Sequence, residues 1–201
     1  MRFALNSISD RRSLVRAGAV AAGALLVPGS LGGGSLIPRA AARPADPKLP
    51  ERRIAFRNVH TGDIVDARYF NSRGWDFDGL REIDQGLRDW RTGEVHMIDR
   101  RLIGLLTDLR DTLAVPAKRP FDLISGYRSA KTNSALREAG GDHTGVATKS
   151  QHMLGKATDI ALPGVSLATV RAAARALGGG GVGFYPRDGF VHVDTGRVRF
   201  W

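Results

Sequence analysis

Apolar and polar positions divide this chain into segments of two different periods, and the periods predict its elements. Apolar residues recur in short runs from Ile54 to Val59 and from Ile64 to Phe70, and the polar stretch between them, His60-Thr61-Gly62-Asp63, reads as the turn of a hairpin. Asp78 to Trp90 predicts a short helix. Ile98 to Leu113 is the clearest helix, because Ile98, Leu102, Leu105, Leu106 and Leu109 fall on one face at steps of three and four residues. Pro116 and Pro120 punctuate its end. Phe121 to Ser125 reads as a strand entering a loop at Gly126, and Thr132 to Glu138 as one or two helical turns. Ala157 to Leu162 alternates as a short strand that Pro163-Gly164 ends. Ser166 then caps a helix through Leu177, terminated by the glycine run 178–181. Val182 to Tyr185 and Phe190 to Asp194 close the chain as strands joined by a turn over Pro186 to Gly189. Short hairpin-linked strands with flanking helices, and no internal repeat, indicate an α+β domain on a small, largely antiparallel sheet.

The pattern is different before residue 51. Paired arginines in Ser9-Asp10-Arg11-Arg12-Ser13 precede an apolar run from Ala17 to Val27, about eleven residues long, and Ala40-Ala41-Ala42 offers a small-residue cleavage site. The run is about half the length that spans a bilayer, so no permanent membrane anchor is expected. Residues 1–42 resemble a twin-arginine signal, which directs export of folded proteins to the periplasm. Residues 43–50, with three prolines, read as a linker, and 51–201 as one compact domain.

Composition then removes several chemistries. The formal charge of +10 falls to +6 once the leader's five arginines and one aspartate are set aside, leaving 25 basic against 19 acidic residues. What remains suits an anionic polymer but is scattered, without the basic, aromatic-interleaved stripe of a nucleic-acid binder. A monomer is the expected state. There is no cysteine, which excludes a disulfide framework, a thiol nucleophile and a thiolate metal site. Any metal must be held by histidine and carboxylate.

Two segments place such groups together. Ser150-Gln151-His152-Met153-Leu154-Gly155-Lys156-Ala157-Thr158-Asp159 sets a histidine and an aspartate seven residues apart across a glycine turn. On the strand that follows, Ala157, Asp159 and Ala161 share one side, which leaves space for an ion beside the acid. A buried aspartate needs a cation or several donors. In Phe190-Val191-His192-Val193-Asp194, alternation puts His192 and Asp194 on one face and the valines in the core. Two histidines and one carboxylate with an open fourth position match a catalytic zinc arrangement, in which the ion activates water and polarises a carbonyl. Spacing alone leaves a purely structural role for the pair open.

Ser150, His152, Gly155, Ala157 and Asp159, followed by His192, resemble the signature of the LAS group of zinc peptidases. That group is named for lysostaphin-type enzymes, D-Ala-D-Ala carboxypeptidases and the hedgehog signalling domain. Ser125-Gly126-Tyr127-Arg128-Ser129 resembles a segment of its D-Ala-D-Ala peptidase branch. The endings Gly181 to Pro186 and Phe190 to Gly196 are most similar to the murein endopeptidase K type, so the likeness covers 51–201. The resemblance implies a hedgehog/D-Ala-D-Ala peptidase-like fold and one zinc ion held by His152, Asp159 and His192. It also implies that Arg128 meets a substrate carboxylate or developing oxyanion, and that Ser150 occupies an active-site serine position. Many relatives carry an acid or histidine three residues before the last ligand, where this chain has Gly189. The proton-transfer role therefore falls to Asp194, as base or as orienter of His192, or to Asp188 in the turn.

His143 lies in a loop near these motifs and is a candidate substrate contact, as are Tyr127 and Tyr185 for the cleft wall. His60 is expected to be solvated, and His96 a cap or surface residue. The activity implied is cleavage of peptidoglycan cross-links, whose peptides carry free carboxylates. Trimming of terminal D-alanine, and non-catalytic murein binding through a zinc-containing module, are the alternatives.

Overall fold

The structure is a computed structural model that describes residues 50–140 and 146–201. The leader 1–42, all but the last residue of the linker 43–50, and His143 lie outside the described residues.

Among the described residues, eight strands and four helices make up the domain. β1 (Arg52–Asn58) and β2 (Ile64–Asn71) form the expected hairpin, extended by a two-residue β3 (Gly74–Trp75). α1 (Phe77–Gly86) and α2 (Arg100–Thr112) lead to β4 (Phe121–Ser125) and α3 (Ala130–Gly140). A short 3-10 turn (Gln151–Leu154) precedes β5 (Ala157–Ala161), and α4 (Leu167–Leu177) precedes β6 (Gly181–Tyr185), β7 (Phe190–Asp194) and β8 (Arg199–Phe200). All the strands join one sheet in the order β3-β2-β1-β4-β5-β7-β6-β8. Among the described residues only β1 with β4 and β6 with β8 run parallel, so the sheet is mixed but largely antiparallel, and the fold is α+β.

The helical stripe read from the sequence builds the core. Leu102, Ile103, Leu106 and Leu109 of α2 are buried, and α2 packs on β1 and α4. Each such side chain contributes on the order of 1.5–3 kcal/mol by leaving water. Ile160, Val191 and Val193 send one face of β5 and β7 into this core. The opposite face of the same two strands carries Asp159, His192 and Asp194.

Element ends differ from expectation for local reasons. α1 stops at Gly86 rather than continuing to Trp90, because the Leu87 carbonyl accepts from Tyr127 N (2.8 Å) and the Asp89 carboxylate draws the chain into a turn by accepting from Arg91 N (3.0 Å). α2 starts after Asp99, whose carboxylate accepts from Arg101 N, while Ile98 is buried just outside the helix. α3 is longer than one or two turns: Ser129 Oγ accepts from Thr132 N, and Ser129 is itself held by Asp89. β3 and β8 are two residues each, too short to carry a period. Among the described residues no helix is long and apolar enough to cross a membrane.

Candidate metal centre

The site is set by the register of three central strands. Asp159 on β5 pairs directly with Ser125 on β4 and with His192 on β7, so alternation places Asp159 and His192 side by side on one face. His152 arrives from the 3-10 turn. Ser150 caps that turn, its Oγ accepting from His152 N at 3.3 Å, and Gly155 ends it at φ +63, a left-handed conformation that glycine adopts without strain. The turn folds His152 back over the start of β5.

Three ligating atoms converge. His152 Nε2 lies 3.2 Å from His192 Nδ1 and 3.3 Å from Asp159 Oδ1, and His192 Nδ1 lies 2.8 Å from the same oxygen. Tetrahedral ligands bonded at about 2.0–2.1 Å stand roughly 3.3 Å apart, so this set fits one metal ion. The outer ring nitrogens fix the rings. His152 Nδ1 is 2.7 Å from the Gly126 carbonyl, which only accepts, so Nδ1 carries the proton and Nε2 presents its lone pair. His192 Nε2 is 3.0 Å from Asp194 Oδ2 and donates to it, which leaves Nδ1 facing the same point.

The titration directions follow from burial and these partners. Burial pushes His152 down, keeping it neutral. Burial works against Asp159, yet the facing histidines hold its carboxyl well below the usual range. Burial alone would lower His192 as well, but Asp159 and Asp194 raise it. Burial of Asp194 is likewise outweighed by bonds from His192, both Nη atoms of Arg199, and the backbone N–H groups of Gly181 and Gly196. All of its acceptor positions are in use, and none of it is exposed.

Over the ligands opens a cavity of about 530 Å³ lined by Arg128, Ser150, Tyr185 and Asp188, among others. Arg128 donates from Nη2 to Asp159 Oδ2 and from Nε to Ser125 Oγ at 2.9 Å. That leaves the other N–H groups of its guanidinium for a visitor. Ser150 is buried and engaged as the cap of the His152 turn. Tyr127 does not line the cavity: its buried ring stacks on His96 at 4.6 Å and its hydroxyl donates to Glu94 at 2.6 Å, a bond that, with burial, pushes its pKa up to about 12. Its place is in the packing beneath the rim, a correction to its expected contact with substrate. His60 is exposed, as expected, and it also stacks on Trp90 at 4.1 Å and lines the cavity.

Three further cavity residues carried no motif. Arg199 and Trp201 reach it from β8 and just beyond, where Trp201 Nε1 donates to the Tyr185 hydroxyl (2.7 Å) and its ring lies 5.3 Å from His192. Arg91 lines the cavity as well. The local signals were an arginine five residues after Asp194 and the run Asp89-Trp90-Arg91 before a glycine turn.

A family profile described as peptidoglycan L,D-endopeptidase MepK, peptidase M15_2, matches residues 47–201. The chain is 37% identical over 193 residues to the peptidoglycan L,D-endopeptidase MepK of Escherichia coli (strain K12), covering 96% of this chain and 97% of that protein. The same figures hold for the protein of that name from Shigella flexneri. The probable peptidoglycan L,D-endopeptidase MepK of Haemophilus influenzae is 34% identical over 192 residues, covering 96% and 95%. With the motif residues gathered at one centre and the match running through the whole described domain, the chain belongs to the M15_2 family of peptidases, the MepK family.

Proposed function

We propose that this protein is an exported, zinc-dependent endopeptidase that hydrolyses peptide cross-links of peptidoglycan, at bonds between L and D centres as the names of its relatives specify. One observation carries the reading: His152 Nε2, His192 Nδ1 and Asp159 Oδ1 converge at the floor of an open cavity, with both imidazole tautomers fixed from behind. A donor set of two imidazoles and one carboxylate suits zinc, which when bound supplies Lewis acidity to a carbonyl and to water.

The other roles belong to the chain's own side chains. Arg128, fixed by Asp159 and Ser125, offers its free N–H groups to the carbonyl oxygen as charge develops there. Asp188 takes the proton of the water that adds to the scissile carbon and returns it to the leaving amine. Its support is position: apart from the ligand Asp159, it is the acid among the described residues that lines the cavity. Asp194 faces His192, Arg199 and two backbone N–H groups instead, which fits the orienter rather than the base. Residues 1–42, with Arg11-Arg12 ahead of an apolar run, serve as a twin-arginine export signal for the 51–201 domain.

Digestion of purified sacculi by the mature domain, with and without a chelator, tests this reading. Conversion of dimeric to monomeric muropeptides that stops on chelation is expected. Products unchanged by the chelator would sink the zinc mechanism, and release of free alanine alone would replace the endopeptidase with a carboxypeptidase.

A further inference from the structure

The cavity wall holds more positive charge than its carboxylates neutralise. Arg128 is paired with Asp159, and Arg199 with Asp194. Arg91 forms no ion pair with a carboxylate among the described residues, although the Asp89 charge acts on it, and it is held in place. Its guanidinium lies over the Trp90 ring, 4.1 Å from the centroid, and Trp90 is backed by the stacked His60 ring, whose Nε2 contacts the Ile124 carbonyl at 3.1 Å. Its backbone N–H donates to Asp89 Oδ1, while Asp89 Oδ2 accepts from Ser129 N (2.9 Å) and Ser129 Oγ (2.7 Å). One buried carboxylate thus ties the Arg91 turn to the segment that carries Arg128.

Three guanidiniums therefore line one cavity, and Arg91 is the one that forms no ion pair among the described residues. Burial presses the Arg91 pKa down; the charge of Asp89 works against this and that of Arg128 with it, although a guanidinium keeps its proton under such pressure. An anion entering between Arg91 and Arg128 relieves their repulsion. A guanidinium lying over an indole face keeps its in-plane N–H groups for a planar acceptor. Lys149 also lines the cavity without an ion pair among the described residues, but no aromatic ring carries it as Trp90 carries Arg91.

We propose that Arg91 is the specificity-determining residue that binds a free carboxylate of the peptide substrate, as a bidentate pair, with Trp90 fixing its plane. The assignment rests on the peptidase reading above and adds to it the anionic group by which the substrate is chosen.

Calorimetric titration with an uncross-linked stem tetrapeptide tests it, using the free acid and the same peptide with its carboxylates amidated. Wild-type protein should bind the acid about tenfold more tightly, the scale of one charge-assisted bidentate contact. Arg91→Ala should lose that preference by weakening the acid about tenfold and leaving the amide unchanged, and Arg91→Lys should retain part of it. On cross-linked dimers Arg91→Ala should raise KM for the acid form with kcat within about twofold. An Arg91→Ala protein that keeps the wild-type acid preference, or a wild type without one, would overturn the assignment. Acid-selective binding that depends on Arg91, without hydrolysis of any dimer, would reject the peptidase reading and leave the Arg91 site standing. Hydrolysis with no Arg91-dependent preference would reject Arg91 alone.

Discussion

The floor and the rim of the cavity are built on opposite principles. On the floor, Asp159 and His192 sit on neighbouring central strands in direct register, and the groups behind the ligand atoms are matched: Asp194 by five N–H bonds, His152 Nδ1 by a carbonyl. On the rim, Asp188, Lys149 and Arg91 come from turns and loops, are exposed, and form no ion pair among the described residues. Central strands cannot shift without breaking two ladders at once, so they suit a centre whose atoms must hold to tenths of an ångström. Loops can vary without disturbing the core, so they suit the groups that choose a substrate.

The sharpest way to break the comparison is to take a ligand from the floor. His152→Ala should abolish bound metal and hydrolysis together, checked by elemental analysis beside a muropeptide assay. A rim residue should behave differently. Asp188→Asn should lower kcat by about 10²–10⁴-fold while metal content stays at the wild-type level, the range for a lost proton acceptor. Loss of metal in that variant would place Asp188 on the floor after all. Asp194→Asn should weaken metal binding by about 10–100-fold, measured by chelator competition, because His192 loses the group that fixes its ring.

The smallest effect probes how the rim is fastened. Burial would raise Asp89, but donors from Thr132, Ser129 and Arg91 outweigh it and hold its pKa at about 2. A folded-state pKa below the unfolded value stabilises the protein above the unfolded pKa and ceases to do so as pH falls through the folded one. Asp89→Asn should therefore cost about 2 kcal/mol at neutral pH, and the gap to wild type should close as pH drops from about 4 to about 2. Urea unfolding at stepped pH values measures it, and a gap that stays constant would deny Asp89 its charged role.

What could be read in the sequence follows the same division. His192 and Asp194 share a face because alternation is local, and the turn that carries His152 was marked by Ser150 and Gly155. The stripe on α2 was equally plain, since a helical period repeats within four residues. The contact between Asp159 and His192 across 33 residues depends on strand register, which no local pattern encodes, and only the family resemblance supplied it. Tyr127 was misplaced for a related reason: the acceptor that captures its hydroxyl, Glu94, is 33 residues away on a loop. His60 and Arg91 escaped because a stack on Trp90 is made by tertiary contact. Arg199 escaped because a two-residue strand leaves no trace.

The two ligand histidines are wired in opposite senses, one facing the centre with its far ring nitrogen and the other with its near one. A ring nitrogen at the near position is matched in reach by the amide of asparagine, and one at the far position by the amide of glutamine. The centre therefore has a handedness of substitution: His192→Asn and His152→Gln keep a donor atom pointed at the shared spot, whereas the exchanged pair sends one amide past it and leaves the other short. Two positions that both read simply as histidine are not equivalent letters, and a lineage drifting away from catalysis would leave different footprints at each.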